Sequence, residues 1–283
     1  MSQLLIEPFQ FEFFRNGVMA AVLAGALCGL IGVYIVLRGM SYIGHGLSHA
    51  IFGGAVVAYV MQWNFYLGAG LWGFIAALLI NQTARKTEIN ADAAIGVITT
   101  ASFAVGVALI SRYRSFTRSF DAALFGNILG VTRADVWVIA GVCLMVAVAV
   151  FFAYRQLLFT TFDAEVARVY GIRTPWIDAL FALLLAATLI AALQILGVTL
   201  IAAALVIPPI TARLLSDSFN RIILLSTAMG AATGFIGIYL SYFIDVASGA
   251  TIVLAQASLF VIVLTITALQ KRAQRRLVHT HVG

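Results

Sequence analysis

Charged residues are scarce in this sequence. Asp, Glu, Lys and Arg make up 10% of its 283 residues, while hydrophobic residues make up 63%, and the mean hydropathy is +1.05. Soluble domains carry about 25% charged residues, so the composition excludes an ordinary soluble protein. Only two cysteines, Cys28 and Cys143, are present, and both fall in apolar runs, where a thiol behaves as a small hydrophobe.

Several motifs that would support chemistry are also absent. The sequence has no G-x-x-x-x-G-K-[ST] loop, so it cannot bind nucleotide phosphates in a P-loop. It has no H-E-x-x-H motif, no cysteine pair at zinc spacing and no G-x-S-x-G motif. The chain therefore lacks the usual parts of an ATPase or of an intramembrane hydrolase, and ATP-driven work would need a separate subunit.

Long apolar runs recur from one end of the chain to the other. Each is long enough to cross about 30 Å of hydrocarbon as a helix, which predicts an all-α, polytopic transmembrane bundle of eight or nine spans forming a single domain over residues 1–283. The predicted spans are Gly17–Leu37, His45–Met61, Tyr66–Ile80, Asp92–Ile110, Asp135–Ala153, Trp176–Leu193, Val198–Leu214, Ile222–Phe243 and Ala250–Leu269. The seventh contains Pro208 and Pro209 and is either a full crossing or a re-entrant half-helix.

The positive charges indicate how the chain is oriented. With nine crossings and a cytoplasmic C-terminus, twelve of the 17 Lys and Arg residues fall inside and five outside. This distribution predicts a cytoplasmic tail at residues 270–283, and four arginines between Ser111 and Asp135 are its weak point. The net charge of +6 then reflects cytoplasmic loops beside membrane lipid, and nucleic acid is not an expected partner.

Two histidines stand at helical spacing in the stretch SYIGHGLSHAIFGG. His45 and His49 are four residues apart, so on a helix both rings lie on one face, as they do when two imidazoles bind one metal. The alternative is an interhelical hydrogen-bonding pair. Because neighbouring glycines and serines favour a tightly packed segment along a path, we interpret the pair as a metal site.

Few other polar groups lie within or beside the spans. Ser41, Asp92, Asn127 and Asp245 are candidates for the path or its mouth. For Asp92, and equally for Asp135 and Asp178, a helix cap interacting with the helix dipole is the simpler interpretation. Asp245 lies in a turn, where it either caps the last span or attracts cations.

Residues 154–176 form the longest polar loop, predicted to be cytoplasmic. Within it, DAEVARVYG has the pattern of a short capped helix, with Asp163 as N-cap, Glu165 in the first turn and Gly171 as terminator. The helix would lie on lipid headgroups or dock on a cytoplasmic partner. Small residues at Gly25 and Gly29, and at Gly230 and Gly234, predict close helix packing, within one bundle or at a subunit interface.

Six separated blocks resemble the membrane permeases of bacterial zinc/manganese ABC importers. They are LRGMSYIGHGLSHAIFGG, ADAAIGVITTASFAVGVALIS, LFGNILGVT, TTFDAEVARVYGI, LGVTLIAAALVIPPITARLL and GIYLSYFIDVASGATIVL. The resemblance covers nearly the whole chain and implies a type II ABC importer-like permease. It implies a homodimer of permeases in the bacterial inner membrane, with cytoplasmic ATPase subunits that bind ATP and an extracytoplasmic metal-binding protein.

The resemblance also implies roles for individual residues. Asp163, Glu165, Arg168, Tyr170 and Gly171 correspond to the coupling helix that docks on the ATPase, and the block with His45 and His49 lines the metal path. His45 stands where the family usually has aspartate. A nitrogen in place of an anionic oxygen shifts the preference away from Mn²⁺.

We therefore expect a non-enzymatic permease subunit of an ABC importer, with transported Zn²⁺ as its cargo and no permanently bound cofactor. Manganese or iron is the alternative cargo. A stand-alone secondary transporter would need intramembrane carboxylates to couple protons, and the spans contain almost none. A membrane enzyme would need a third metal ligand and a general base.

Overall fold

The computed structural model describes residues 7–86, 91–113, 124–126 and 128–280, with only the backbone described at 84–86, 91–92 and 273–280. Throughout this part of the chain the regular structure is helical. Short 3₁₀ helices lie at Glu7–Gln10 and Ile128–Gly130, and the α-helices are α1 (Glu12–Leu37), α2 (Ser41–Val60), α3 (Phe65–Lys86), α4 (Ala91–Tyr113), α5 (Arg133–Phe152), α6 (Tyr154–Phe162), α7 (Ala164–Val169), α8 (Thr174–Leu215), α9 (Phe219–Ile244) and α10 (Ser248–Thr280).

Within the described ranges, eight helices are long and apolar enough to cross a membrane, which confirms the predicted fold class. They are α1 to α5 and α8 to α10. The two spans predicted between residues 176 and 214 correspond to the two parts of α8, a 42-residue element that is broken at one internal residue. Polar residues 154–176, by contrast, contain the two short helices α6 and α7.

The break in α8 is at Gly197, whose φ of 72° and ψ of 163° are not helical. Only glycine adopts such a backbone conformation at low cost, and a Cβ here would lie 2.5 Å from the Gly126 nitrogen. The break divides α8 into α8a, residues 174–196, and α8b, residues 198–215. Phe181 of α8a and Pro209 of α8b both approach α1 near Tyr34 and Gly32, so the chain folds back at Gly197.

The break lies at the start of the predicted seventh span, whose two alternatives, a full crossing and a re-entrant half-helix, stay predictions. Gly197 is buried, and the carbonyl of Val198 accepts a hydrogen bond from the hydroxyl of Ser48, in the second turn of α2, at 3.0 Å. The half-helix α8b therefore starts inside the bundle rather than at its surface. Broken helices at membrane depth are stable where protein surrounds them.

A line of small residues joins α1 to α9. A Cβ added to Gly25 would overlap the carbonyl of Gly230, and one added to Gly29 would overlap that of Ser226. The Ser226 hydroxyl donates to the Gly29 carbonyl at 2.6 Å. These small residues thus serve packing within one chain, the first of the two predicted alternatives.

Ion pairs mark the two ends of the bundle. Glu12, at the start of α1, pairs with Arg133 of α5 at 3.0 Å. At the other end, Arg38 pairs with Asp178 at 2.9 Å. The sequence predicted that Arg133 and Arg38 lie on opposite sides of the membrane, and the structure has them at opposite ends of the bundle. Assigning the cytoplasm to the Arg38 end, and to residues 270–283, stays a prediction.

Candidate metal path and coupling segment

His45 and His49 share one face of α2, as their spacing predicted. Their ring centroids are 4.6 Å apart, with 77° between the ring planes. Tyr42 lies one turn before His45 at 5.8 Å, and Phe103 of α4 contacts His49 edge-on at 4.8 Å. Both imidazoles are half-buried, so each is fixed by aromatic neighbours and still accessible on one side.

The polar atoms on the histidine face of α2 differ in whether they have hydrogen-bond partners. The hydroxyl of Ser48, between the histidines, lies 2.7 Å from the carbonyl of His45 and 3.0 Å from that of Val198. By contrast, Nδ1 of His49 is buried and has no hydrogen-bond partner in the part of the chain that the structure describes. Leaving a buried polar atom unpaired costs about 1–3 kcal/mol, which is unusual for a purely structural histidine.

This arrangement suits transient binding of a cation. An unprotonated imidazole nitrogen is a ligand for divalent transition metals, and two such rings 4.6 Å apart are close enough to contact one ion. Within the described ranges, no cluster of three or more His, Cys, Asp or Glu residues is present. Two protein ligands make a weak site, and weak sites permit release during permeation.

The other predicted path residues are not assembled around the histidines. Ser41 is exposed at the first position of α2, in the same helix as the histidines. Asp245, in a left-handed conformation, is the C-cap of α9 and lines a cavity of about 410 Å³ at the opposite end of the bundle. The side chain of Asp92 and the whole of Asn127 lie outside the described residues.

The structure confirms a capping role for Asp135 and corrects the one predicted for Asp178. Thr132 is the N-cap of α5, and Asp135 completes a capping box as its third helical residue. Tyr66 also donates to Asp135, at 2.8 Å. Asp178 lies within α8, whose N-cap is Arg173, and forms the ion pair with Arg38. A long-range partner thus changed the role expected for Asp178 from its local pattern.

The predicted coupling helix is present as α7. Asp163 is its N-cap, with the carboxylate accepting from the backbone nitrogens of Glu165 and Val166, both at 2.9 Å. Tyr170 is the C-cap, and Gly171 follows with a φ of 80°. Capping therefore agrees with the sequence at both ends.

The exposed side of α7 is suited to an interface. Val169 is 86% exposed and Tyr170 is 74% exposed. Glu165 is exposed as well, and Arg168 donates to the carbonyl of Ala164 at 3.3 Å. An apolar side chain and an aromatic ring displayed at the end of a membrane bundle are typical of protein contacts.

Sequence reasoning missed one group of functional interest, at Arg38. This arginine was counted only as a positive charge. Its guanidinium contacts Asp178, Thr160 and Thr161, residues more than 120 positions away. The one local signal is a single arginine directly after a long apolar helix, which does not identify its partners.

Comparisons with known proteins agree with this architecture. The manganese transport system membrane protein MntC of Halalkalibacterium halodurans is 40% identical over 250 residues, 88% of this chain and 86% of that protein. A probable iron transport system membrane protein of Haemophilus influenzae is 32% identical over 272 residues, covering 96% and 100%. The solved structure of PsaBC from Streptococcus pneumoniae in complex with Fab aligns with a TM-score of 0.84 at 34% identity, covering 93% of this chain and 95% of that one.

The same conclusion follows from the family profile. The profile of the ABC 3 transport family matches residues 10–267, which includes the long helices up to α9 and the first part of α10. The resemblance found in the six sequence blocks is thereby confirmed. The chain belongs to the ABC 3 transport family, as a multi-pass permease of the bacterial inner membrane.

Proposed function

We propose that this chain is the metal-conducting permease of an ATP-driven importer for a divalent transition metal. The observation that carries the proposal is the pair His45 and His49, with ring centroids 4.6 Å apart beside the break in α8. Discontinuous helices recur at ion sites of transporters because they place polar groups inside the bundle. The ion is the transported substrate and forms no permanent part of the protein.

Manganese is the first candidate for the cargo. The relative MntC, 40% identical, is named for manganese transport, and the relative from Haemophilus influenzae is named for iron. These names support the alternative stated from the sequence better than zinc. Manganese accepts imidazole nitrogen but prefers oxygen ligands, so water and backbone carbonyls would complete its shell here.

Zinc is the second candidate, and the site itself favours it. Both side-chain ligands in the pair offer nitrogen, and imidazole suits zinc better than manganese. A carboxylate at position 45 would supply the anionic oxygen that manganese prefers. The sequence of the site and the names of the relatives thus point to different metals, and direct competition distinguishes them.

The proposed assembly has two copies of this chain, two cytoplasmic ATPase subunits and an extracytoplasmic metal-binding protein. The ATPase would dock on α7 through Asp163, Glu165, Arg168, Tyr170 and Gly171. In support, α7 is capped at both ends and displays Val169 and Tyr170. ATP binding and hydrolysis would then move α7, rearrange the long helices and pass the ion along the face of α2. The residues proposed for the path beyond the histidines are Ser41, Asp92, Asn127 and Asp245.

The test is competitive uptake of radioactive manganese and zinc by liposomes. The liposomes contain this chain, its ATPase and its binding protein at matched amounts. We expect ATP-dependent uptake by the wild type and its loss in His49→Ala. His45→Asp should raise the manganese-to-zinc ratio about tenfold, which corresponds to about 1.4 kcal/mol, because an anionic oxygen replaces a neutral nitrogen.

His279→Ala is the matched control, since it removes an imidazole from the far C-terminal part of the chain. Its uptake and metal ratio should equal those of the wild type. Uptake that persists without ATP would support a secondary transporter instead. An unchanged ratio in His45→Asp, together with normal uptake in His49→Ala, would contradict the assignment of the pair as the metal site.

A further inference from the structure

Arg38 binds three separate elements with one side chain. Its Nη1 donates to Asp178 at 2.9 Å, its Nη2 to Thr160 at 2.9 Å and its Nε to Thr161 at 3.1 Å. The guanidinium carbon also lies 4.4 Å from the centre of the Phe181 ring. Because the side chain is only 8% exposed, this group, named here the Arg38 cluster, is a buried junction of α1, α6 and α8.

One branch of the Arg38 cluster leads directly to the predicted docking helix. Thr160 and Thr161 lie in the last turn of α6, and Asp163 both ends α6 and caps α7. Each threonine hydroxyl donates its own hydrogen within α6, Thr161 to the carbonyl of Leu157 at 2.6 Å. Each oxygen is therefore oriented to accept from the guanidinium, and α6 cannot shift at this end without moving Arg38.

The other branch leads to the helix that carries the histidines. Arg38 is the C-cap of α1, and α2 begins at Ser41 after the two residues Gly39 and Met40. The nitrogen of Met40 bonds back to the carbonyl of Ile35 at 3.0 Å, which fixes the turn as a compact helix ending. A displacement of Arg38 thus reaches the first turn of α2 through a short, hydrogen-bonded connection.

The chemistry of arginine suits this arrangement. A planar guanidinium holds several acceptors at fixed angles, which a lysine ammonium does not do. Burial lowers the pKa of Arg38 and Asp178 raises it, and a guanidinium stays protonated at any physiological pH. Buried ion pairs add little net stability but fix geometry strongly. The cluster therefore positions helices more than it holds the fold together.

The space beside the cluster permits movement. Arg38 and Asp178 line a cavity of about 570 Å³, together with Ile43 of α2 and Arg168 of α7. The first turn of the helix with the histidines, the docking helix and the start of α8 thus border one open volume. Elements separated by such a volume can change their relative positions without overlapping, as alternating access requires.

We propose that Arg38 is the positioning residue that transmits movement of α6 and α7 to α2. ATP-driven displacement of α7 would pull on Thr160 and Thr161, and through the guanidinium would rotate the turn before Ser41. The inference rests on the proposed function, because it requires an ATPase docked on α7.

The decisive variant removes the connection to α6 and keeps the ion pair. Thr160→Val together with Thr161→Val replaces both acceptors with methyl groups of the same shape. We expect normal ATPase assembly and ATP hydrolysis, with about tenfold less metal transported per ATP, since two hydrogen bonds to a charged group are lost. The control is Thr188→Val, whose buried hydroxyl donates to Leu184 within its own helix and whose loss should leave the ratio unchanged.

A second variant covers the case in which the double valine protein does not fold. Arg38→Lys keeps a cation beside Asp178 but loses the fork that holds both threonines, so the metal-to-ATP ratio should fall to a similar extent. A wild-type ratio in whichever of these variants folds would overturn the inference. If the wild-type complex itself transports no metal with ATP, the proposed function fails instead, so the two failures are distinguishable.

Discussion

The buried polar groups before and after the turn between α1 and α2 differ in their hydrogen bonding. Before the turn, Arg38 uses all three guanidinium nitrogens in hydrogen bonds. After the turn, His49 keeps a buried Nδ1 without a partner among the described residues, and its ring contacts those of His45 and Phe103. Fewer than a dozen residues thus separate a guanidinium with a hydrogen bond from each nitrogen from an imidazole that has an unpaired nitrogen among the described residues.

This difference has a physical meaning. A saturated buried cation cannot exchange partners at low cost, so it keeps neighbouring helices in register. The unpaired nitrogen of His49 has already lost its contact with water in the folded protein. A metal ion that binds it therefore displaces no hydrogen-bond partner. The turn thus joins a rigid junction to a reactive face, and each of the following predictions tests that contrast.

The largest effect on stability is expected from Arg38→Met. Methionine fills much of the same volume but removes the guanidinium that pairs with Asp178, and breaking a buried pair costs about 3 kcal/mol. The apparent free energy of unfolding in detergent, measured by chemical denaturation, should fall by this amount. The control Arg15→Met changes an exposed arginine of the same helix and should shift stability by less than about 0.5 kcal/mol. Equal effects in the two variants would contradict the contrast.

Much of the fold was predictable because hydrophobicity dominates helix formation in a bilayer. The predicted span Gly17–Leu37 lies within α1, Glu12–Leu37, and the end of the helix agrees. The break in α8 was expected between Leu193 and Val198, and it occurs at Gly197. The helix α6 was not predicted, because its nine residues have low mean hydropathy and no sequence cap at the N-terminus.

The site was predictable only where its residues are neighbours along one helix. The spacing of His45 and His49 placed their rings together, and the structure has them at 4.6 Å. Asp178 was assigned as a cap from its local position, although its partner is 140 residues away. Such a pairing depends on how helices pack, which no local pattern records. The chemical role of the histidine pair stays a prediction.

A smaller effect is expected where α2 packs against α4. A Cβ at Gly46 would overlap the Cγ2 methyl of Ile95 and approach Thr99 at 3.2 Å, so Gly46→Ala should cost about 2 kcal/mol through overpacking. To make room for the added methyl group, α2 would shift away from α4 and carry both imidazoles with it. Metal uptake should therefore fall as well. Thermal unfolding and uptake are measured on the same preparation.

Gly96→Ala is the matched control for this variant, because no other atom lies within 4 Å of a Cβ at Gly96. An alanine in that open helical position should stabilise the protein by up to about 1 kcal/mol. If Gly46→Ala were as stable as Gly96→Ala and transported normally, the packing of α2 on α4 would not position the histidines.

The smallest effect on stability, and the sharpest test of the contrast, is expected from His49→Phe. The phenyl ring preserves edge-on packing against Phe103 and removes the unpaired Nδ1, so stability should stay within about 1 kcal/mol of the wild type or increase. Uptake of manganese and zinc should nevertheless be lost, since no nitrogen remains at this position to bind the ion. Arg38→Met, by contrast, should show a large loss of stability. If His49→Phe were destabilised by about 3 kcal/mol while still transporting metal, His49 would stabilise the fold, as Arg38 does. It would then not be a metal ligand on the face of α2.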